Sequence, residues 1–194
     1  MKHWWVIALV LTVAACAPKG PVRGTDAEIA ALAASIERLS PDVDPAEAAQ
    51  AARLSYIATH ELAIAYQITD PALIHNAKVN AGQRPRGLCY HWAEDIQARL
   101  DSAGFLTLET ARAIANADNP ILIDHSTTVI VPTGAPMQSG VVIDPWRYAG
   151  RLFWSPIAQD TRYAWRPRQQ VLLEKGRIRY VQRTEGSLAP PPTE

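Results

Sequence analysis

The sequence carries no net charge, with Lys+Arg and Asp+Glu numbering 19 each among 194 residues. That balance excludes the basic excess expected of a phosphate-binding surface. One strip departs from it, Arg166, Arg168, Lys175, Arg177, Arg179 and Arg183, but Glu174 and Glu185 lie among these residues. The strip reads as a solvated face, and no nucleic-acid partner is expected. A membrane-spanning run is missing too: the N-terminal apolar stretch Trp4 to Val13 rises only ~15 Å as a helix, against a hydrocarbon core of ~30 Å. There is no internal repeat. No pair of Cys, His or Asp residues has the spacing of a familiar zinc motif, so neither metal nor cofactor is expected. Cysteine is scarce, with only 2 residues, Cys16 and Cys89. What is present, 48% apolar and 20% charged residues, is the composition of a globular chain of a length that fits one domain.

The first cysteine belongs to a targeting block. Lys2 and His3 make a short cationic start, Trp4 to Val13 is apolar, and Val13-Ala14-Ala15-Cys16 presents small residues before a cysteine. This block resembles a bacterial lipobox, with Val13 where leucine is usual. The resemblance implies that residues 1–15 are a removable signal and that Cys16 carries a lipid as the mature N-terminus, holding the protein to a membrane of the cell envelope. Ala17, rather than Asp, at the next position is similar to the pattern sorted to the periplasmic face of the outer membrane if the cell is Gram-negative. Residues 16–24 read as a tether because Pro and Gly recur there, and residues 186–194 as a disordered tail. Residues 25–185 remain for a single domain.

Within that domain the first half is helical in pattern. Thr25-Asp26-Ala27-Glu28 is a capping box followed by Ile29, Leu32, Ile36 and Leu39 at helical spacing. Asp44-Pro45-Ala46-Glu47 starts a second helix with an apolar stripe of Leu54, Ile57, Leu62, Ala65 and Ile68. Asp70-Pro71 opens a third, short helix, and Cys89 to Ala103 forms a fourth, stopped at Gly104. The texture then changes. Leu106 to Ala113 reads as a strand or short helix, Ile121 to Val131 and Gly140 to Asp144 as strands, and Arg177 to Gln182 as a last strand. Helices first and antiparallel strands later predict an α+β fold.

Chemistry centres on Cys89. With Cys16 lipidated, Cys89 is a lone thiol in an exported protein, either buried and inert or retained for reactivity. Gly87-Leu88-Cys89 leads a loop into a helix, and the partial positive charge and unpaired N–H groups of a helix N-terminus favour a thiolate and can hold an oxyanion. Trp92, Ala93, Ile96 and Leu100 share its helical spacing, so the thiol also fits a core stripe. His125 early in one strand and Asp144 at the end of the next offer a base and a group that fixes its tautomer.

Gly-Leu-Cys-Tyr-His-Trp opening a helix, followed by His125 and then Asp144-Pro145, resembles the transglutaminase-like branch of the papain-like superfamily over Gln83 to Trp146. The resemblance implies Cys89 as nucleophile, His125 as base and Asp144 as the orienting carboxylate. Gln83, a few residues before Cys89, is similarly placed to the oxyanion glutamine of papain-type enzymes. It also implies acyl transfer through a thioester, by peptide or isopeptide hydrolysis or transamidation, on peptidoglycan peptides or envelope proteins. The alternative is a non-catalytic envelope lipoprotein acting as a binding or scaffold module. A hairpin with Pro132 opposite Gly140 sets Arg147 opposite His125 and turns Asp144 to the other face, so the triad requires an odd register or a bulge. His91, two residues from Cys89, is expected outside the reacting set, and Trp146, Tyr148, Trp154, Tyr163 and Trp165 as core or cleft.

Overall fold

A computed structural model of the chain describes residues 21–178. The signal, Cys16, the C-terminal tail and nearly all of the expected last strand lie outside the described residues, and Arg177 and Ile178 carry no helix or strand. The order is α1 (Asp26–Glu37), α2 (Pro45–Ala65), α3 (Ala72–Asn80), α4 (Cys89–Asp101), β1 (Leu108–Ala115), β2 (His125–Pro132), β3 (Val141–Tyr148), β4 (Arg151–Pro156), β5 (Arg166–Pro167) and α5 (Arg168–Glu174). The five strands form one antiparallel sheet ordered β4-β3-β2-β1-β5. Helices followed by an antiparallel sheet are the α+β arrangement expected.

Two helix starts follow directly from their capping residues. Thr25 accepts from the Glu28 amide at 3.2 Å while Glu28 reaches back to the Thr25 amide at 2.9 Å, a complete capping box on α1. Asp44 accepts from Ala46 at 2.6 Å and Glu47 at 3.3 Å, and Pro45 follows at the position where a missing N–H costs nothing. The stripe expected on α2 needs correction. Ile57 is 44% exposed and Ala65 is also exposed, while Ala48, Ala51, Ala52, Ser55, Ala58 and Ala63 turn inward. The helix packs against both α1 and α4, and small side chains let helix axes approach closely.

The sheet separates two apolar clusters. Leu32, Ile36, Trp92, Ile96, Leu100 and the inward faces of Ile130, Val141 and Ile143 form the larger one on the helical side. Val129, Val131, Val142, Met137 and Trp165 form a smaller one on the opposite side. Being covered on both faces, β2 is buried along its whole length, which is why its sequence shows no apolar–polar alternation. It also starts later than expected. Asn119 Oδ1 accepts from the amides of Ile121 at 2.9 Å and Leu122 at 3.3 Å, a side-chain turn that competes with strand pairing. Ile121, Leu122 and Ile123 are left 89%, 52% and 57% exposed ahead of His125.

Candidate active site

The loop entering α4 is fixed by its own residues. Arg86 grips Asp95 on α4 through Nε at 3.1 Å and a terminal nitrogen at 2.9 Å, and Tyr66 donates its hydroxyl to the same carboxylate. The Arg86 carbonyl meets His75 Nε2 at 2.9 Å. Gly87 then adopts φ +123, and a Cβ there would stand 2.4 Å from His75 Nε2, so the motif requires glycine on both backbone and steric grounds. No Ser, Thr, Asp or Asn caps the helix. Instead His91 Nδ1 accepts from the amides of Gly87 at 3.2 Å and Leu88 at 3.3 Å. A ring nitrogen that accepts is unprotonated, and burial together with Arg86 lowers the His91 pKa accordingly. His91 therefore builds the turn that presents Cys89.

The first intrahelical bond of α4 runs from Trp92 N to Leu88 O at 3.2 Å, so the N–H groups of Cys89 and Tyr90 precede the helical ladder. Cys89 is 6% exposed, and its thiol donates to the Asp124 carbonyl at 3.5 Å. The helix is tied to the sheet nearby by Thr128, whose hydroxyl donates to Ala93 O at 2.5 Å in the buried interior. That contact holds the first half of α4 against the middle of β2.

Register decides the rest. Strand β2 pairs Thr128 with Ile143, Val129 with Val142 and Ile130 with Val141, one residue off the pairing that sets Pro132 opposite Gly140. Gly140 accommodates the slip, since a Cβ there would meet Ile130 O at 2.5 Å. A one-residue shift exchanges faces, and Asp144 thereby lies on the face of His125. His125 Nε2 and Asp144 Oδ2 are 2.7 Å apart, with the two side chains 2% exposed each.

A bulge after Asp144 completes the setting. Pairing with β4 jumps from Asp144–Phe153 to Tyr148–Arg151, and the extra residues bend β3. The Arg147 amide consequently donates to Asp144 Oδ1 at 3.1 Å and its Nε to Asp144 Oδ2 at 3.0 Å. The rest of that guanidinium donates to both oxygens of Asp160, at 3.1 and 2.6 Å, and Trp165 Nε1 donates to Asp160 at 2.9 Å. Arg147 and Asp160 were not among the expected site residues. A strand carries no signal for the bulge, and Asp160 comes from a separate loop.

The His125 ring sits among Trp146, Tyr163 and Trp165, with ring centroids 4.6, 4.7 and 5.2 Å away. Its Nδ1 is buried and has no hydrogen-bond partner among the described residues. Burial disfavours the imidazolium, but the Asp144 carboxylate and its hydrogen bond, with Cys89 close by, outweigh it and raise the pKa to about 9. Formal charge gives the same direction: Asp144, Arg147 and Asp160 together carry one negative charge that a protonated His125 neutralises.

Cys89, His125 and Asp144 are thus brought to one end of the sheet. The thiol opens on a cleft of about 370 Å³ lined by Tyr90, Glu94, Arg112, Asp124 and Arg168 among others. His125 and Trp146 line a second cleft together with Ile121, Leu122 and Ile123. Gln83 lies exposed in the loop before α4, its carbonyl accepting from Arg84 at 3.0 Å, and it is not among the residues lining the Cys89 cleft. Such an arrangement can stabilise a thiolate beside a buried, protonated imidazole and hold that imidazole in one orientation. Comparison with protein-family models, with curated proteins and with solved structures returns no match, so the site is read from its own chemistry.

Proposed function

We propose that the chain is a thiol enzyme of acyl transfer, with a papain-like or transglutaminase-like core. The observation that carries this reading is the buried 2.7 Å pairing of His125 Nε2 with Asp144, with Cys89 beside the same ring. Once the Cys89 thiol is ionised, His125, already carrying a proton, stabilises the thiolate; the sulfur attacks an acyl carbon, and the carbonyl electron pair moves to oxygen. Collapse of that adduct expels an amine, which takes the proton from His125 and leaves a thioester on Cys89. Water or a second amine then displaces the sulfur, giving hydrolysis or transamidation. The first-turn N–H groups of α4, which precede the helical ladder, are the donors this reading assigns to the oxyanion.

The proposed location is the cell envelope, through a lipid on Cys16, with peptidoglycan peptides or envelope proteins as substrates. No helix among the described residues is long and apolar enough to cross a membrane. Cys16→Ser abolishes lipid labelling under this reading; undiminished incorporation in that variant contradicts the anchor. The function is tested by thioester capture with an acyl probe and by turnover of envelope peptides. Cys89→Ala and His125→Ala each remove nearly all turnover, Asp144→Asn leaves a measurable remnant, and the Cys89→Ala/His125→Ala double variant is no worse than Cys89→Ala alone. If all three single variants lower the melting temperature strongly and none changes any measured reaction, the residues are structural and the chain is a non-catalytic module.

A further inference from the structure

Arg112, on β1, lies half-buried in the Cys89 cleft. Its terminal nitrogen donates to Ser126 Oγ at 3.2 Å and to the Tyr90 carbonyl at 3.5 Å, and its Nε is buried without a partner. No carboxylate among the described residues forms an ion pair with it, whereas Arg86, Arg147 and Arg166 each hold one. The two carboxylates of the cleft are engaged by other cations: Glu94 lies 3.6 Å from Arg86, and Asp124 lies 2.7 Å from Lys175. Arg168, exposed and also without an ion pair among the described residues, lines the same cleft. Burial, followed by the charge of Arg168, pulls the Arg112 pKa below its usual value, the response of a cation set next to another cation away from water. Guanidinium groups removed from water are normally paired with an anion, and the planar fork of Arg112 suits a carboxylate.

We propose that Arg112, assisted by Arg168, is a carboxylate-binding subsite beside Cys89, so that the acyl substrate is a peptide or amide carrying a free carboxylate close to the bond that is attacked. The proposal rests on Cys89 being the nucleophile and names the substrate class of that reaction. Arg112 binds the substrate and takes no part in proton transfer.

Two alkylating agents of similar size separate charge recognition from thiol reactivity. Iodoacetate carries a carboxylate and iodoacetamide does not; with both, the ionised Cys89 sulfur forms an S–C bond and expels iodide, the thiol proton having gone to solvent. In the full chain, the iodoacetate-to-iodoacetamide rate ratio at Cys89 exceeds that of a model thiol, and the iodoacetate rate saturates with concentration. Arg112→Gln lowers that ratio about tenfold while leaving the iodoacetamide rate near wild type, and Arg112→Lys, with charge but no fork, falls between them. Arg168→Gln, at an exposed position, lowers it in the same direction and carries the test if Arg112→Gln does not fold. Reaction with iodoacetamide but no iodoacetate preference, or a preference unchanged in Arg168→Gln and any folded Arg112 variant, overturns the subsite and leaves the thiol site standing. Failure of both reagents in the folded protein overturns the thiol site itself, and the subsite with it.

Discussion

His125 is the residue on which structure and chemistry meet. One ring nitrogen is committed to Asp144 at 2.7 Å, the other faces no hydrogen-bond partner among the described residues, and Arg147 and Asp160 fix the carboxylate from behind. The consequence for stability has a definite sign. With its pKa raised from 6.5 to about 9, the native state keeps a proton that the unfolded chain releases above pH 6.5 or so. The stabilisation is complete below pH 6.5 and is lost as pH rises through about 9. Urea denaturation of wild type and His125→Gln across pH 6 to 10 therefore shows a gap that narrows as pH rises. A gap that stays constant or widens contradicts the assigned protonation. His91 has the opposite sign: its pKa is lowered, so its contribution is present above its unfolded value and lost as pH falls through the lowered native one.

At the scale of elements, the reactive end of α4 depends on the loop before it. Gly87 adopts a backbone that L side chains rarely take, and the space a Cβ needs is filled by His75. Gly87→Ala is expected to cost on the order of 1–3 kcal/mol from strain alone, seen as a lower melting temperature, and to slow alkylation of Cys89 because the turn that presents it moves. Gly82→Ala is the control: its φ is also positive, at +71, but nothing lies within 4 Å of an added Cβ. Its effect is confined to backbone strain, and the Cys89 rate is unchanged. Equal loss of Cys89 reactivity in both variants contradicts a specific role for the Gly87–His75 contact. The hairpin is the other controlling element. Its slipped register and the bulge after Asp144 convert an Asp that would face away into the partner of His125.

Across the whole molecule, legibility in the sequence follows the range of the interactions. Helix starts set by Thr25, Asp44 and Pro45 are local and were readable, as was the sequence order Cys89, His125, Asp144. The small-residue face of α2 was not, because helix-to-helix distance is a tertiary quantity and Ile57 competes for the apolar stripe. Strand β4 and its two-residue turn were missed: Ala149 takes φ 50 where Asn or Gly is the usual signal. The short β5 and α5 draw their place from the rest of the fold, since Arg166 pairs with Asp118 and Glu174. Arg112 and Asp160 looked like ordinary polar residues, and their meaning comes from what surrounds them in space. The basic strip read as a solvated face proved mixed, with Arg166 and Lys175 in ion pairs and Arg168 and Arg177 lining the Cys89 cleft.

The central claim is that Cys89 is activated by His125, and the rate of Cys89 alkylation by iodoacetamide in the folded chain at pH 6 measures it most directly. With the protonated His125 beside it to stabilise the thiolate, wild type reacts faster than a model thiol at that pH, and His125→Ala slows the reaction by about a hundredfold, the lower end of what a positioned acid–base group contributes. A wild-type thiol that reacts only after denaturation, or a folded His125→Ala variant that reacts at the wild-type rate, contradicts it.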